Sequence, residues 1–321
     1  MEFYNDAIIF AELSSKYREQ IADKNPNAVK TLKEIKELVK FNVERLKVAF
    51  NIKLNKKSTE FDKGKGIFLI SNSINTIISK QNNLKMRDLT TLNPFSTKTI
   101  DGVNILLDYS GSMWFMNEID CIGENLQRIY AQNFLALVMI EYLKLISKNS
   151  LSIKVNTFCE SSIIQEFGKT KDIDYDIFIV HKEWGSRGSS SSKIELSPTK
   201  LLHKENDFFT NEDLNTAITD SLAKFKKENI KNFITLFITD GGVHRIGETK
   251  EDRVLYIQNF MNKLQSLCKM TTTMFVFVKE QREDTAELCK KVDIDTLLLN
   301  EIAQFNSAFE HFTHTINNIK W

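Results

Sequence analysis

Two runs, FITLFIT at 233–239 and TTMFVFV at 272–278, constrain the chain more than anything else in it. Each is rich in aromatic and β-branched residues and shows no alternation with charged ones, so each reads as a strand buried on both faces. VNILLD at 103–108, LSIKVNTF at 151–158, IIQEF at 163–167 and DTLLL at 295–299 repeat the theme, and DIFIV at 176–180 is a further strand candidate. Helical periodicity fills the intervals at Leu126–Ile146, Leu214–Lys227, Val254–Lys269 and Glu301–Asn317. Strands alternating with helices predict an α/β fold: a doubly wound, mostly parallel sheet with helices on both faces.

The first hundred residues are patterned differently. Helices are expected over 2–21 and 27–51, parted by Lys24-Asn25-Pro26-Asn27, with proline suited to the first turn of the second. In that second helix Leu32, Ile35, Val39, Leu46 and Phe50 recur at helical spacing, and Lys33, Lys36, Lys40 and Lys47 fall mainly on other faces. KKSTEFDKGKG at 56–66 reads as a polar break, Ile67–Lys80 as a short helix and 81–100 as a linker. The expected division is a small helical N-terminal region, 1–100, followed by an α/β domain, 101–321. Its charge follows the same line: 18 Lys/Arg against 11 Asp/Glu in the first part, 25 against 31 in the second. That asymmetry favours docking of one part on the other, with nucleic acid as an alternative partner for the basic part.

The longest apolar run in a helix, FLALVMI at 134–140, is far below the roughly 20 residues of a membrane span and reads as a buried helix. Glu2 and Asp6 stand where a secretory leader would be basic, so the expected setting is cytoplasmic, without a membrane. Cys121, Cys159, Cys268 and Cys289 are widely spaced and read as buried hydrophobes rather than a disulfide framework.

Chemistry concentrates where strands end. VNILLD closes on Asp108, and Ser110, Gly111 and Ser112 follow, so that one carboxylate and two hydroxyls converge in a strand-to-helix turn. FITLFIT is followed by Asp240 and Gly241-Gly242, and Thr216 opens the helix between. Hard oxygens of this kind suit Mg²⁺ or Mn²⁺ rather than zinc.

D-x-S-x-S at 108–112, a threonine at the start of a later helix and ITDG at 238–241, in that order, resemble the metal-ion-dependent adhesion site of von Willebrand factor A domains. The resemblance covers residues 101–321. It implies one divalent cation held by Asp108, Ser110, Ser112, Thr216 and Asp240, directly or through water, and an antiparallel edge strand. It also implies a partner glutamate or aspartate that completes the coordination. The family usually presents its threonine in a Gly-Gly-Thr turn; here Asp213-Leu214-Asn215 precede Thr216, which leaves Thr210 as a rival. A helical region before such a domain is similar to subunits that work with MoxR-type AAA+ ATPases.

Other chemistries fit less well. A phosphotransferase using Asp108 as nucleophile needs an acid two residues on, where Ser110 stands. No G-x-S-x-G supports a serine hydrolase, and GKG at 64–66 lacks phosphate-loop spacing. The expectation is a binding module, not an enzyme. Trp114-Phe115-Met116, His244 and the polar stretch 183–193 are placed near the metal face, while His311 and His314 read as surface or packing residues.

Overall fold

The structure is a computed structural model that describes residues 3–61, 66–68, 86–88, 102–114, 121–146, 151–158, 162–167, 173–179, 214–230, 233–241, 249–279 and 283–318. Helices α1 (Phe3–Ala22) and α2 (Ala28–Phe61) come first. Thr31 Oγ1 donates to Gln20 Oε1 at 2.7 Å, and Arg45 pairs with Asp6, so the two helices run antiparallel. The second continues to Phe61 through the segment expected to break it. Lys56, Lys57 and Glu60 are good helix formers, and the first glycine comes only at Gly64. Ile67 and Phe68 are not helical as expected but belong to β1 (Gly66–Phe68), antiparallel to β2 (Met86–Asp88).

The α/β part starts with β3 (Gly102–Asp108). It continues through a small hairpin of β4 (Cys121–Ile122) and β5 (Leu126–Gln127), helix α3 (Arg128–Ile146), and strands β6 (Ser152–Phe158) and β7 (Ser162–Phe167). Then come α4 (Asp176–Ile179), α5 (Leu214–Lys227), β8 (Phe233–Thr239), α6 (Lys250–Cys268), β9 (Thr271–Val278), α7 (Glu283–Lys291), β10 (Asp295–Leu299) and α8 (Ile302–Asn318). Asp176–Ile179, the start of DIFIV, thus forms a helical turn rather than a strand. The Asp174 side chain accepts from the Asp176 backbone N–H at 3.1 Å and starts that turn.

The large sheet has the order β10-β9-β8-β3-β6-β7, parallel except for the antiparallel edge strand β7. From β3 the chain winds outward to β7, then returns to the other side of β3 and winds outward again to β10. The reversal falls between β3 and β8, and the carboxyl ends of these two strands flank the crevice where doubly wound sheets bind ligands.

Odd-numbered residues of β3 join one core and Leu106 the other. The first core holds α3 and α8, with α1 and α2 packed over them; Phe3 stacks on Phe309 with ring centroids 4.1 Å apart, and Phe10 meets Phe134 at 5.5 Å. All side chains of α3 from Ala131 to Ile140 are buried. The N-terminal helices dock through apolar and aromatic contact, aided by Tyr17 donating to Asp176 at 2.9 Å and by Arg18 on Tyr130. Lys30, Lys33, Lys36, Lys40 and Lys47 of α2 stay exposed.

The second core, under α5, α6 and α7, is built on phenylalanine. Phe237 and Phe275, in register on β8 and β9, stack at 4.1 Å with ring planes 10° apart. A polar row crosses the same face, Lys154 beside Asn104 beside Thr235 beside Thr273. Lys154, 1% exposed, pairs with Glu228 at 2.7 Å, as a buried ammonium requires. Helix α6 opens with a capping box in which Thr249 and Asp252 satisfy each other's backbone N–H groups.

Phe237 stands at the middle of β8, so Phe237→Ala removes a stacked ring from the centre of the second core. The expected loss is about 3–5 kcal/mol of unfolding free energy by urea denaturation. A loss below about 1 kcal/mol would contradict the packing described.

Candidate metal centre at the sheet edge

Strand β3 is held to its last residue. The Gln132 side chain on α3 brackets the Asp108 peptide, accepting from its N–H at 3.2 Å and donating to its carbonyl at 2.8 Å. Tyr109 N–H donates across to Phe158 on β6 at 2.8 Å. The chain then turns through Gly111–Trp114, a short 3₁₀ segment in which Met113 N–H donates to the Ser110 carbonyl.

This exit aims the Asp108 carboxylate along the sheet edge. Its Oδ1 accepts from the Ser110 N–H at 2.8 Å, and its Oδ2 accepts from the Thr239 hydroxyl at 2.6 Å. Thr239 itself accepts from Gly241 N–H at 3.0 Å, in a turn that needs a positive φ of 96° at Gly241. The Gly241 carbonyl is covered by the Thr285 hydroxyl at 2.6 Å. Ser110 and Ser112 hydroxyls stand 3.0 Å apart.

Asp240 follows β8 and is fully buried, as is Asp108. Arg128 donates to Asp240 Oδ2 at 2.9 Å, with the two side chains 4% and 0% exposed. Asp240 Oδ1 has no hydrogen-bond partner among the described residues. Burial first, and the Asp240 charge second, push the Asp108 carboxyl up to about 7, against hydrogen bonds from Ser110 and Thr239 that pull it down.

Arg128 is the first residue of α3, where a positive charge opposes the helix dipole, and the Asp240 carboxylate compensates for that placement. The hairpin before it is pinned from two sides. Tyr4 OH donates to the Ile122 carbonyl at 3.0 Å, and Lys279 Nζ donates to the Cys121 carbonyl at 2.8 Å. At its tip Gly123 has φ +61°, and a Cβ there would meet the Tyr4 hydroxyl at 2.5 Å.

Thr216 is half-buried in the first turn of α5. Asn156, two residues before the end of β6, donates to the Ala217 carbonyl at 3.1 Å, which brings that turn to the edge where Asp108 emerges. Of the five expected site residues, contacts join Asp108, Ser110 and Ser112. Asp240 acts on Asp108 through its charge, and Thr216 is brought to the same edge by its helix. Thr210, His181, His203, His244, Cys159, Phe115, Met116 and 183–193 lie outside the described residues, as do the side chains of Trp114 and His314. Cys121 and Cys289 are buried, Cys268 is half-buried, and His311 shares a hydrogen bond with Asp295 at 2.9 Å.

The sequence reading missed Arg128, Thr239 and Gln132. Thr239 stood inside the quoted ITDG, whereas Arg128 was assigned to the interior of a helix expected to begin at Leu126. Among the described residues no three His, Cys, Asp or Glu side chains gather in a metal-sized group. The polar side chains at this edge include two carboxylates and hydroxyls.

No protein-family profile matches the chain, and no curated protein does. Among solved structures, the PilB minor pilin from Streptococcus sanguinis is similar over 70% of this chain and 63% of its own, with 11% identity and a TM-score of 0.48. A von Willebrand factor type A protein from Catenulispora acidiphila is similar over 68% of this chain and 42% of its own, with 14% identity and a TM-score of 0.38. The chain thus spans less than two thirds of the length of either.

The folded-state value for Asp108, about 7, lies above its ordinary 3.8. Between these values the folded protein keeps a proton that the unfolded chain has released, so stability falls as pH rises through that window and levels off above it. Urea denaturation in EDTA from about pH 4.5 to about pH 7.5 is expected to show a steeper decline for the parent than for Asp108→Asn. Parallel curves would contradict the buried environment of this carboxyl.

Proposed function

We propose that this chain is a non-enzymatic protein-interaction module of the von Willebrand factor A type. In this reading it holds Mg²⁺ or Mn²⁺ at the sheet edge and, through it, an aspartate or glutamate of a partner protein. The observation that carries the reading is Asp240 Oδ1, a buried carboxylate oxygen with no partner among the described residues, beside Asp108 at the crevice between β3 and β8. A buried carboxylate oxygen left without a hydrogen bond is costly, and a hard cation beside it offsets that cost. The donor set fits: Asp108 and Asp240 supply charge, and Ser110, Ser112 and Thr216 supply hydroxyls, directly or through water. When bound, the cation supplies a positive centre with a position open to an incoming carboxylate.

The chain's own groups prepare that position. Gln132 and the Phe158 carbonyl fix the strand end, and Thr239 fixes the Asp108 carboxylate, so little ordering is left to binding. A nucleophilic role for Asp108 is disfavoured because both its oxygens are already engaged and the residue is fully buried. The basic face of α2 gives less support to a nucleic-acid partner, since exposed Lys33 and Lys47 sit beside Glu37 and Glu44.

No helix among the described residues is long and apolar enough to cross a membrane. We place the protein in the cytoplasm, with a MoxR-type AAA+ ATPase as the candidate class of partner. That assignment rests on the resemblance of a helical region followed by this domain.

Calorimetric titration with Mn²⁺ is expected to give one site per chain, abolished by EDTA and weakened more than about tenfold in Asp108→Ala, a loss above about 1.4 kcal/mol. Because Asp108→Ala also removes a buried like-charge neighbour, its metal-free melting temperature is expected to stay level or rise. Equal Mn²⁺ binding by both chains would reject the reading.

A further inference from the structure

Any dication at this edge shares it with a cation that the chain already carries. Arg128 and Asp240 form a pair buried to 4% and 0% exposure, 2.9 Å apart. The arginine is not on a mobile arm: it begins α3, directly after a hairpin anchored by Tyr4 and Lys279. It donates to Asp240 Oδ2, whereas Asp240 Oδ1 has no hydrogen-bond partner among the described residues.

We infer that Arg128 is a positioning residue that makes cation and acidic partner bind as a pair. It selects the Asp240 oxygen offered to the cation, and its charge cancels one of the two carboxylates. The inference rests on the metal-dependent reading above. With both carboxylates ionised, Asp108, Asp240 and Arg128 leave one negative charge to face a dication. Beside two fully buried carboxylates that deficit is incompletely screened, so the chain alone holds the cation weakly. A carboxylate arriving on the open side supplies the missing charge. Cation and carboxylate then strengthen each other's binding by the same factor.

The test measures Mn²⁺ affinity by calorimetry with acetate as the carboxylate probe, against chloride at matched ionic strength. The parent, Arg128→Gln and Arg128→Lys are compared. In the parent, saturating acetate is expected to tighten Mn²⁺ binding several-fold. Arg128→Gln is expected to bind Mn²⁺ alone about tenfold more tightly than the parent and to lose most of the acetate effect. Arg128→Lys, which keeps the charge, is expected to retain that effect.

A purely structural arginine would lower the melting temperature of Arg128→Gln without changing either the Mn²⁺ affinity of the folded fraction or the acetate factor, and that result overturns the inference. The parent alone also decides the matter should Arg128→Gln fail to fold, because absence of any acetate effect on its Mn²⁺ affinity overturns it equally. Absence of Mn²⁺ binding in all three chains rejects the metal-dependent reading itself, and this inference with it. Mn²⁺ binding that is equal in parent and Arg128→Gln rejects the inference alone.

Discussion

Two carboxylates end adjacent central strands, both buried and each within the other's field, and the surrounding structure is arranged to make that tolerable. Asp108 receives a hydroxyl from β8 and an amide from its own turn; Asp240 receives a guanidinium from the start of α3. The compensating groups come from separate elements, so the arrangement exists only in the folded chain. That compensation is partial, since Asp240 Oδ1 has no hydrogen-bond partner among the described residues.

The stiffness needed to hold such a cluster comes from the two cores. On one face, stacked phenylalanines hold β8 and β9 in register, and the parallel pairing of β3 with β8 sets the height at which Asp108 and Thr239 meet. On the other face, α3 is buried along most of its length and carries Gln132 and Arg128 to the strand ends. Helices α1 and α2 close over α3 and α8, so a region unlike the rest in composition and charge shares their core.

The sheet was legible in the sequence because strands buried on both faces leave long apolar runs. Beta8 and β10 end where their patterns predict, and Asp108 and Asp240 could be picked out as acids at strand ends. Short elements were not legible. DIFIV has the composition of a strand, yet an aspartate two residues before it starts a helical turn that packs under α3. Gly66–Phe68 is a strand only because Met86–Asp88 pairs with it, and no local pattern shows a partner so distant. Arg128 was hidden for a related reason. Its role depends on a two-residue hairpin strand ending just before it, and the apolar periodicity of the helix runs through that boundary unbroken.

The bond between Tyr4 and the Ile122 carbonyl ties the start of α1 to the hairpin from which Arg128 emerges. Gly123 fits against the same tyrosine so closely that a side chain added there would collide with its hydroxyl. The α/β part is therefore not a portable unit. Grafted elsewhere without its helical partner, it would carry bare aromatic surface at Phe134 and Phe309 and a loosened support beneath its charged edge, so exchange among architectures would have to move both parts together.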